Sequence, residues 1–201
     1  MSLRLAALSN SKVQSYQGST TEVTLQLSTD PVKVKPKVFG DNRGWLTESF
    51  NANDFAKATG LDVMFVQDNH SFSKQWTLRG MHYQLEHTQG KLVRVTAGSV
   101  FDVVVDLRKD SSTFGQWAGE ELSSENHKQL WIPPGFAHGF AVLSESAEFL
   151  YKTTDYYAPE HERCIVWSDP DLAIAWPLQA PPVLASKDAN APMLAQAEVF
   201  V

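Results

Sequence analysis

From Val63 to Asp169 the chain is a close succession of short β-prone segments, and no other feature limits the fold so strongly. "VMFVQDNHSFS", "WTLRGMHYQL", "GKLVRVTAGSV", "FDVVVDLR", "QWAGEELS", "KQLWIPPGFAHGFAVLS", "AEFLYKTTDYY" and "CIVWSD" follow one another at fairly regular spacing, with Gly and Pro at the breaks. Many short strands with turn residues between them predict a mainly β fold, a sandwich or a barrel. Upstream, "TEVTLQL" alternates like a half-buried strand, "DNRG" signals a turn, and "WLTESF" reads as another strand. "NANDFAKATG" is the best helix candidate, with Asn51 or Asn53 as its cap and Gly60 where it would stop. The tail "PPVLASKDANAPMLAQAEVF" has room for one more short helix.

Bulk properties narrow the class. The 201 residues suit a single domain over 23–201, and the Ser-, Gln- and Thr-rich stretch 1–22 is expected to be a poorly ordered extension. A formal charge of −6 argues against nucleic acid as a partner, because phosphate backbones are bound by basic surfaces. The lone Cys164 excludes an intrachain disulfide framework and any zinc-binding cysteine cluster. No apolar run is long enough for a membrane span, and the N-terminal apolar patch is too brief for a signal-peptide core, so a cytoplasmic location is expected.

Several strands carry polar residues where a plain core would have aliphatics. Gln67 and Asn69 share one face of their strand, His82 and Gln84 share one face of theirs, and His138 follows "IPPGFA". As a set they point to a polar-lined ligand site, since unpaired buried polar groups are costly. A metal centre of the H-x-H type would need a second imidazole, but position 84 is Gln, a weak ligand for zinc or iron. No G-x-S-x-G elbow or glycine-rich phosphate cradle is present. His82 is therefore free for proton chemistry, and Asp102, Asp106, Asp169, Asp171 or Asp188 could fix its tautomer. Tyr151, Tyr156 and Tyr157 are candidate proton donors, and Lys91 could steady a developing oxyanion. One difficulty stands out. By the two-residue period of a strand, Arg79 and His82 face opposite ways.

The segments "KVFGDNRGWLTESF", "FVQDNHSFSKQWTLRGMHYQ", "GKLVRVTAGSVFDVVVDLRKDSSTFGQW", "LWIPPGFAHGFAVLSESAEFLYKTTDYY" and "LASKD" together resemble the dTDP-4-dehydrorhamnose 3,5-epimerase family, over roughly Lys35 to Pro192. The resemblance implies a cupin-type double-sheet jelly roll with one or two short helices, a homodimer, and neither metal nor cofactor. It implies epimerisation of dTDP-4-dehydro-6-deoxy-D-glucose at C3 and C5. It makes His82 the proton acceptor, Asp188 its carboxylate partner, Tyr151 the proton donor and Lys91 a lysine beside the sugar. Arg43 and Arg79 become phosphate-binding residues. Glu48, Gln67, Asp68, Asn69, His138 and Lys187 fall on substrate-contact positions, Tyr157 on the residue that stacks on thymine, and Glu162 near a further contact. Two alternatives stay open: an epimerase acting at C3 or C5 alone, and a non-catalytic nucleotide-sugar binding protein.

Overall fold

A computed structural model of the chain describes residues 14–17, 21–25 and 30–201. The expected extension therefore lies largely outside the described residues; within it Gln14–Gln17 forms β1, and Thr21–Leu25, in the expected strand "TEVTLQL" that runs past its end, forms β2. There follow β3 (Val32–Pro36), β4 (Val38–Asp41), β5 (Gly44–Thr47), α1 (Ala52–Thr59), β6 (Gln67–Lys74), β7 (Leu78–Gln84), β8 (Lys91–Ala97) and β9 (Ser99–Asp106). The rest comprises β10 (Trp117–Ser123), β11 (Gln129–Ile132), β12 (Phe136–Val142), β13 (Ser146–Thr153), β14 (Glu162–Cys164) and α2 (Ser186–Ala189).

Among the described residues, the strands form two antiparallel sheets and one hairpin. One sheet runs β1-β2-β3-β11-β8-β13-β6, the other β10-β9-β12-β7-β14, and β4 pairs with β5. This is the expected jelly roll. "KQLWIPPGFAHGFAVLS" supplies a strand to each sheet, because Pro133 and Pro134 cannot donate to a ladder and end β11. "CIVWSD" departs from expectation: only Cys164 belongs to a strand, at the end of the three-residue edge strand β14, although Ile165 still exchanges backbone hydrogen bonds with Met81.

Apolar packing follows the two faces of each sheet. Between the sheets, Val93, Val95, Val104, Leu130, Ile132, Phe140 and Phe149 form the inner core. On β9, Val103 and Val105 point the other way, into a second cluster roofed by the C-terminal residues Leu194, Val199 and Phe200. With both faces covered, "VVV" reads as a continuous apolar run rather than an alternating one. Burying one such side chain contributes about 1.5–3 kcal/mol. Helix α1 lays Phe55 and Ala58 over Val32, Val34, Leu92 and Trp131 on the outer face of the larger sheet. Its caps are those expected: Asn51 accepts from the backbone N–H of Asn53 and Asp54, and Gly60 closes the helix at φ 70°. No described helix is long and apolar enough to cross a membrane.

Candidate active site

Arg79 and His82 do share a face, because β7 carries one residue more than its neighbour. His82 pairs with His138 and Arg79 with Phe140, so three steps on β7 match two on β12. Such a bulge changes which way the residues beyond it face. Two glycines permit it. Gly80 has φ 133°, and a Cβ there would lie 2.5 Å from Gly139 Cα and 3.0 Å from the His138 carbonyl oxygen. A Cβ on Gly139 would in turn lie 2.6 Å from Met81 Sδ and 2.8 Å from the Arg79 carbonyl oxygen. With the bulge in place, Arg79, His82, His138 and Phe140 all line one cavity of about 620 Å³ between the sheets.

His82 Nε2 lies 2.7 Å from Asp188 Oδ1, and the Gly80 N–H donates to Asp188 Oδ2 at 3.4 Å. Asp188 is buried in α2, which packs against β7. Burial alone would raise its pKa, but the His82 hydrogen bond and charge, the Gly80 N–H and Lys187 outweigh it and hold the carboxyl below its ordinary value. An ionised Asp188 keeps the proton of a neutral His82 on Nε2 and leaves Nδ1 as the basic nitrogen. Of the five aspartates considered as its partner, Asp188 holds that place. Asp102 is instead 2.8 Å from His138 Nε2. Asp106 gathers Arg108, Ser111 and Thr113, while Asp169 caps the turn at Asp171 and Leu172 and accepts from the Leu194 N–H.

Across the cavity, Tyr151 projects from β13, where it pairs with Asn69 and Val93. Burial raises its pKa, so its hydroxyl keeps its proton at neutral pH. Lys91 opens β8; burial lowers its pKa to about 8, with Glu162 and Asp102 partly opposing the shift. It remains predominantly an ammonium at pH 7. Phe140 and Phe149 stack at 4.2 Å and give the cavity an apolar floor, against which the His138 ring lies.

A polar cluster marks the rim. Glu162 accepts from Lys187 Nζ at 2.8 and 2.9 Å and from the Tyr157 hydroxyl at 3.3 Å. Gln67 accepts from the Tyr157 N–H at 3.1 Å and donates to Asn69 at 3.0 Å. Arg79 donates to Ser73 Oγ and the Phe72 carbonyl, which steadies its guanidinium at the cavity wall. Among the described residues, no three His, Cys, Asp or Glu side chains are grouped so as to hold a metal ion.

Three expected contact residues stand outside this cavity within one chain. Arg43 sits in the exposed β4–β5 turn, paired with Asp41 at 2.6 Å. Glu48 accepts from Asn51 Nδ2 at 3.0 Å, beside the start of α1. Asp68 alternates away from Gln67 and Asn69 and pairs with Lys152 at 2.9 Å on the outer face. Gln89, Thr77, Ser71, Phe140, Phe149 and Val183, Leu184 and Ala185 also line the cavity, though no motif in the sequence singles them out. The alternation of β9, which turns Asp102 inward with Val100 and Val104, was the available signal for the His138 pair.

Comparison with known proteins matches this geometry to a family. Residues 26–196 match the family model for dTDP-4-dehydrorhamnose 3,5-epimerase. The dTDP-4-dehydrorhamnose 3,5-epimerase of Pseudomonas aeruginosa is 61% identical over 171 residues, 85% of this chain and 94% of that one. Among solved structures, the dTDP-6-deoxy-D-glucose-3,5-epimerase of Legionella pneumophila, in complex with dTDP-4-keto-L-rhamnose, is 50% identical with a TM-score of 0.86, covering 89% of this chain and 95% of that one. A 3'-monoepimerase of Streptomyces bikiniensis, in complex with dTDP-quinovose, is 35% identical with a TM-score of 0.78, covering 82% and 84% of the two chains. The extent and identity of these matches show that this chain belongs to the dTDP-4-dehydrorhamnose 3,5-epimerase family.

Proposed function

We propose that this isomerase converts dTDP-4-dehydro-6-deoxy-D-glucose to dTDP-4-dehydro-L-rhamnose, a step towards dTDP-L-rhamnose. The observation that carries the reading is the Asp188-oriented His82 lining one cavity with Tyr151 and Lys91. C3 and C5 both neighbour the C4 ketone, so loss of either proton gives an enolate whose charge rests on the C4 oxygen. His82 Nδ1 takes the proton and becomes an imidazolium stabilised by Asp188. The Lys91 ammonium, held at the cavity wall, stabilises the enolate oxygen. Tyr151 delivers its hydroxyl proton to the opposite face of the carbon, which inverts it. Proton exchange with solvent then restores the tyrosine and the histidine. The net change is stereochemical and moves only protons, so it calls for no redox cofactor.

Remaining roles follow the chemistry of each group. Arg79 offers a guanidinium to the diphosphate, and Tyr157 offers a ring face to thymine at the rim. Lys187, Glu162, Gln67, Asn69 and His138 bind the sugar and the nucleotide. The protein acts as a homodimer in the cytoplasm. The β4–β5 hairpin exposes Phe39, Trp45 and Leu46, an apolar surface suited to a second copy, and this supports Arg43 and Glu48 reaching the cavity of the partner rather than their own.

The 3'-monoepimerase neighbour favours a second reading, inversion at one carbon only. Incubation with dTDP-4-dehydro-6-deoxyglucose in D2O separates the two. Deuterium at both C3 and C5 is expected; incorporation at one carbon selects the mono-epimerase. Folded protein that binds dTDP and incorporates none is a binding protein, and the enzymatic reading fails.

A further inference from the structure

Gln84, two residues along β7 from His82, occupies the position where an H-x-H metal site would have its second imidazole. Its side chain is nevertheless fully engaged. Nε2 donates to the His87 carbonyl at 2.7 Å and to the Tyr156 carbonyl at 3.3 Å, and Oε1 accepts from the Ala158 N–H at 3.1 Å. Residues 156 and 158 bracket Tyr157, the ring at the cavity mouth. Gln84 is buried, and β7 is held between β12 and β14. It thus ties a short surface loop to a rigid interior strand. Two other glutamines secure the same loop, Gln67 at the Tyr157 N–H and Gln89 at the Asp155 carbonyl.

We propose that Gln84 is a positioning residue for nucleotide recognition, locking the 156–158 loop so that the Tyr157 ring is held ready for the base before substrate arrives. The idea rests on the epimerase reading for the identity of the ligand, while the clamp itself does not. An unclamped loop would sample other conformations, and binding would then have to order it, which weakens affinity without touching the proton-transfer groups. A role limited to strand integrity would affect His82 as much as Tyr157.

The test uses Gln84→Met, which keeps the side-chain length but removes the three hydrogen bonds. KM for the dTDP-sugar and Kd for dTDP should both rise about tenfold, with kcat nearly unchanged. In a Tyr157→Ala background the same substitution should change neither value further. Amide hydrogen exchange of the free protein should show faster exchange at Tyr157 and Ala158 and no change at Met81 or His82. Should Gln84→Met not fold, Gln84→Glu carries the same measurements. It retains the acceptor for the Ala158 N–H but sets a carboxylate oxygen against the His87 and Tyr156 carbonyls, so a KM rise at least as large is expected, again absent in the Tyr157→Ala background. A fall in kcat at constant KM, an effect undiminished without Tyr157, or unaltered Ala158 exchange overturns the proposal. If the wild-type protein neither turns over the sugar nor binds dTDP, the epimerase reading fails, and the exchange measurement still decides whether the clamp exists.

Discussion

Replacing Gly80 by Ala tests how the fold brings Arg79 and His82 to one cavity. Gly80 lies at φ 133°, where an L side chain is strained by about 1–3 kcal/mol. The added Cβ would also meet backbone, 2.5 Å from Gly139 Cα, which no rotamer change can relieve. Overpacking of that kind costs a further ~1–3 kcal/mol, so the total is roughly 2–6 kcal/mol. For a domain of this size each kcal/mol lowers Tm by about 2–4 °C, which predicts a fall on the order of 5–20 °C in thermal unfolding. Gly44 provides an internal control, since it has the same φ of 133° but a Cβ there meets nothing within 4 Å. Within one chain Gly44→Ala should therefore show the backbone strain alone, and its Tm is compared at the oligomeric state of the wild type because the β4–β5 hairpin is the surface proposed to meet a second copy. At a temperature where both variants are folded, Gly80→Ala should also lose at least about tenfold in kcat/KM, because the bulge must shift to admit the methyl group. Equal Tm values for the two variants, or full activity in Gly80→Ala, would refute the role given to the glycine pair.

Other predictions concern the proton-moving groups. Asp188→Asn should lower kcat by about 10²–10⁴, since an amide can donate to Nε2 and so move the ring proton to Nδ1; dTDP binding, followed by calorimetry, should change little. Because the Asp188 carboxyl lies below its ordinary pKa in the folded state, its stabilisation is present at neutral pH and lost as pH falls through that lowered value. Stability curves of wild type and Asp188→Asn should therefore begin to draw together only below about pH 4 and meet as pH falls through the lowered value. The pKa of Lys91, lowered by burial to about 8 in the free protein, predicts that kcat/KM declines as pH rises through that value and the ammonium is lost. In Lys91→Arg the alkaline limb of the pH–rate profile should move upward. Tyr151→Phe should retain appreciable exchange of substrate hydrogen with D2O while inverted product falls by at least on the order of 10², as read by NMR; equal loss of both would remove Tyr151 as the donor.

Much of the scaffold was legible from local pattern. Asn51 and Gly60 mark both ends of α1, and the succession of short β-prone segments marks a sandwich or barrel, because those signals depend on neighbours in sequence; the jelly roll itself is what the family resemblance implies. The bulge was not legible. It depends on Gly80 meeting Gly139, residues far apart in the chain that only the β7–β12 pairing brings together. The choice of Asp188 over four other aspartates has the same origin, since it requires α2 to be folded back against β7. Composition could identify Gln84 as a poor metal ligand, but its hold on the 156–158 loop emerges only once β7 and that loop are adjacent. Arg43, Glu48 and Asp68 enter only through family resemblance, and a single chain leaves all three outside the cavity.

One base serving two carbons is the central claim, and His82→Ala tests it most directly. The variant should be incubated in D2O with dTDP-4-dehydro-6-deoxyglucose under conditions in which its dTDP affinity matches that of wild type. Exchange should disappear at C3 and C5 together, because Nδ1 of the Asp188-bound imidazole is the acceptor at both. Continued exchange at either carbon in the folded, nucleotide-binding variant would contradict this and require a second base.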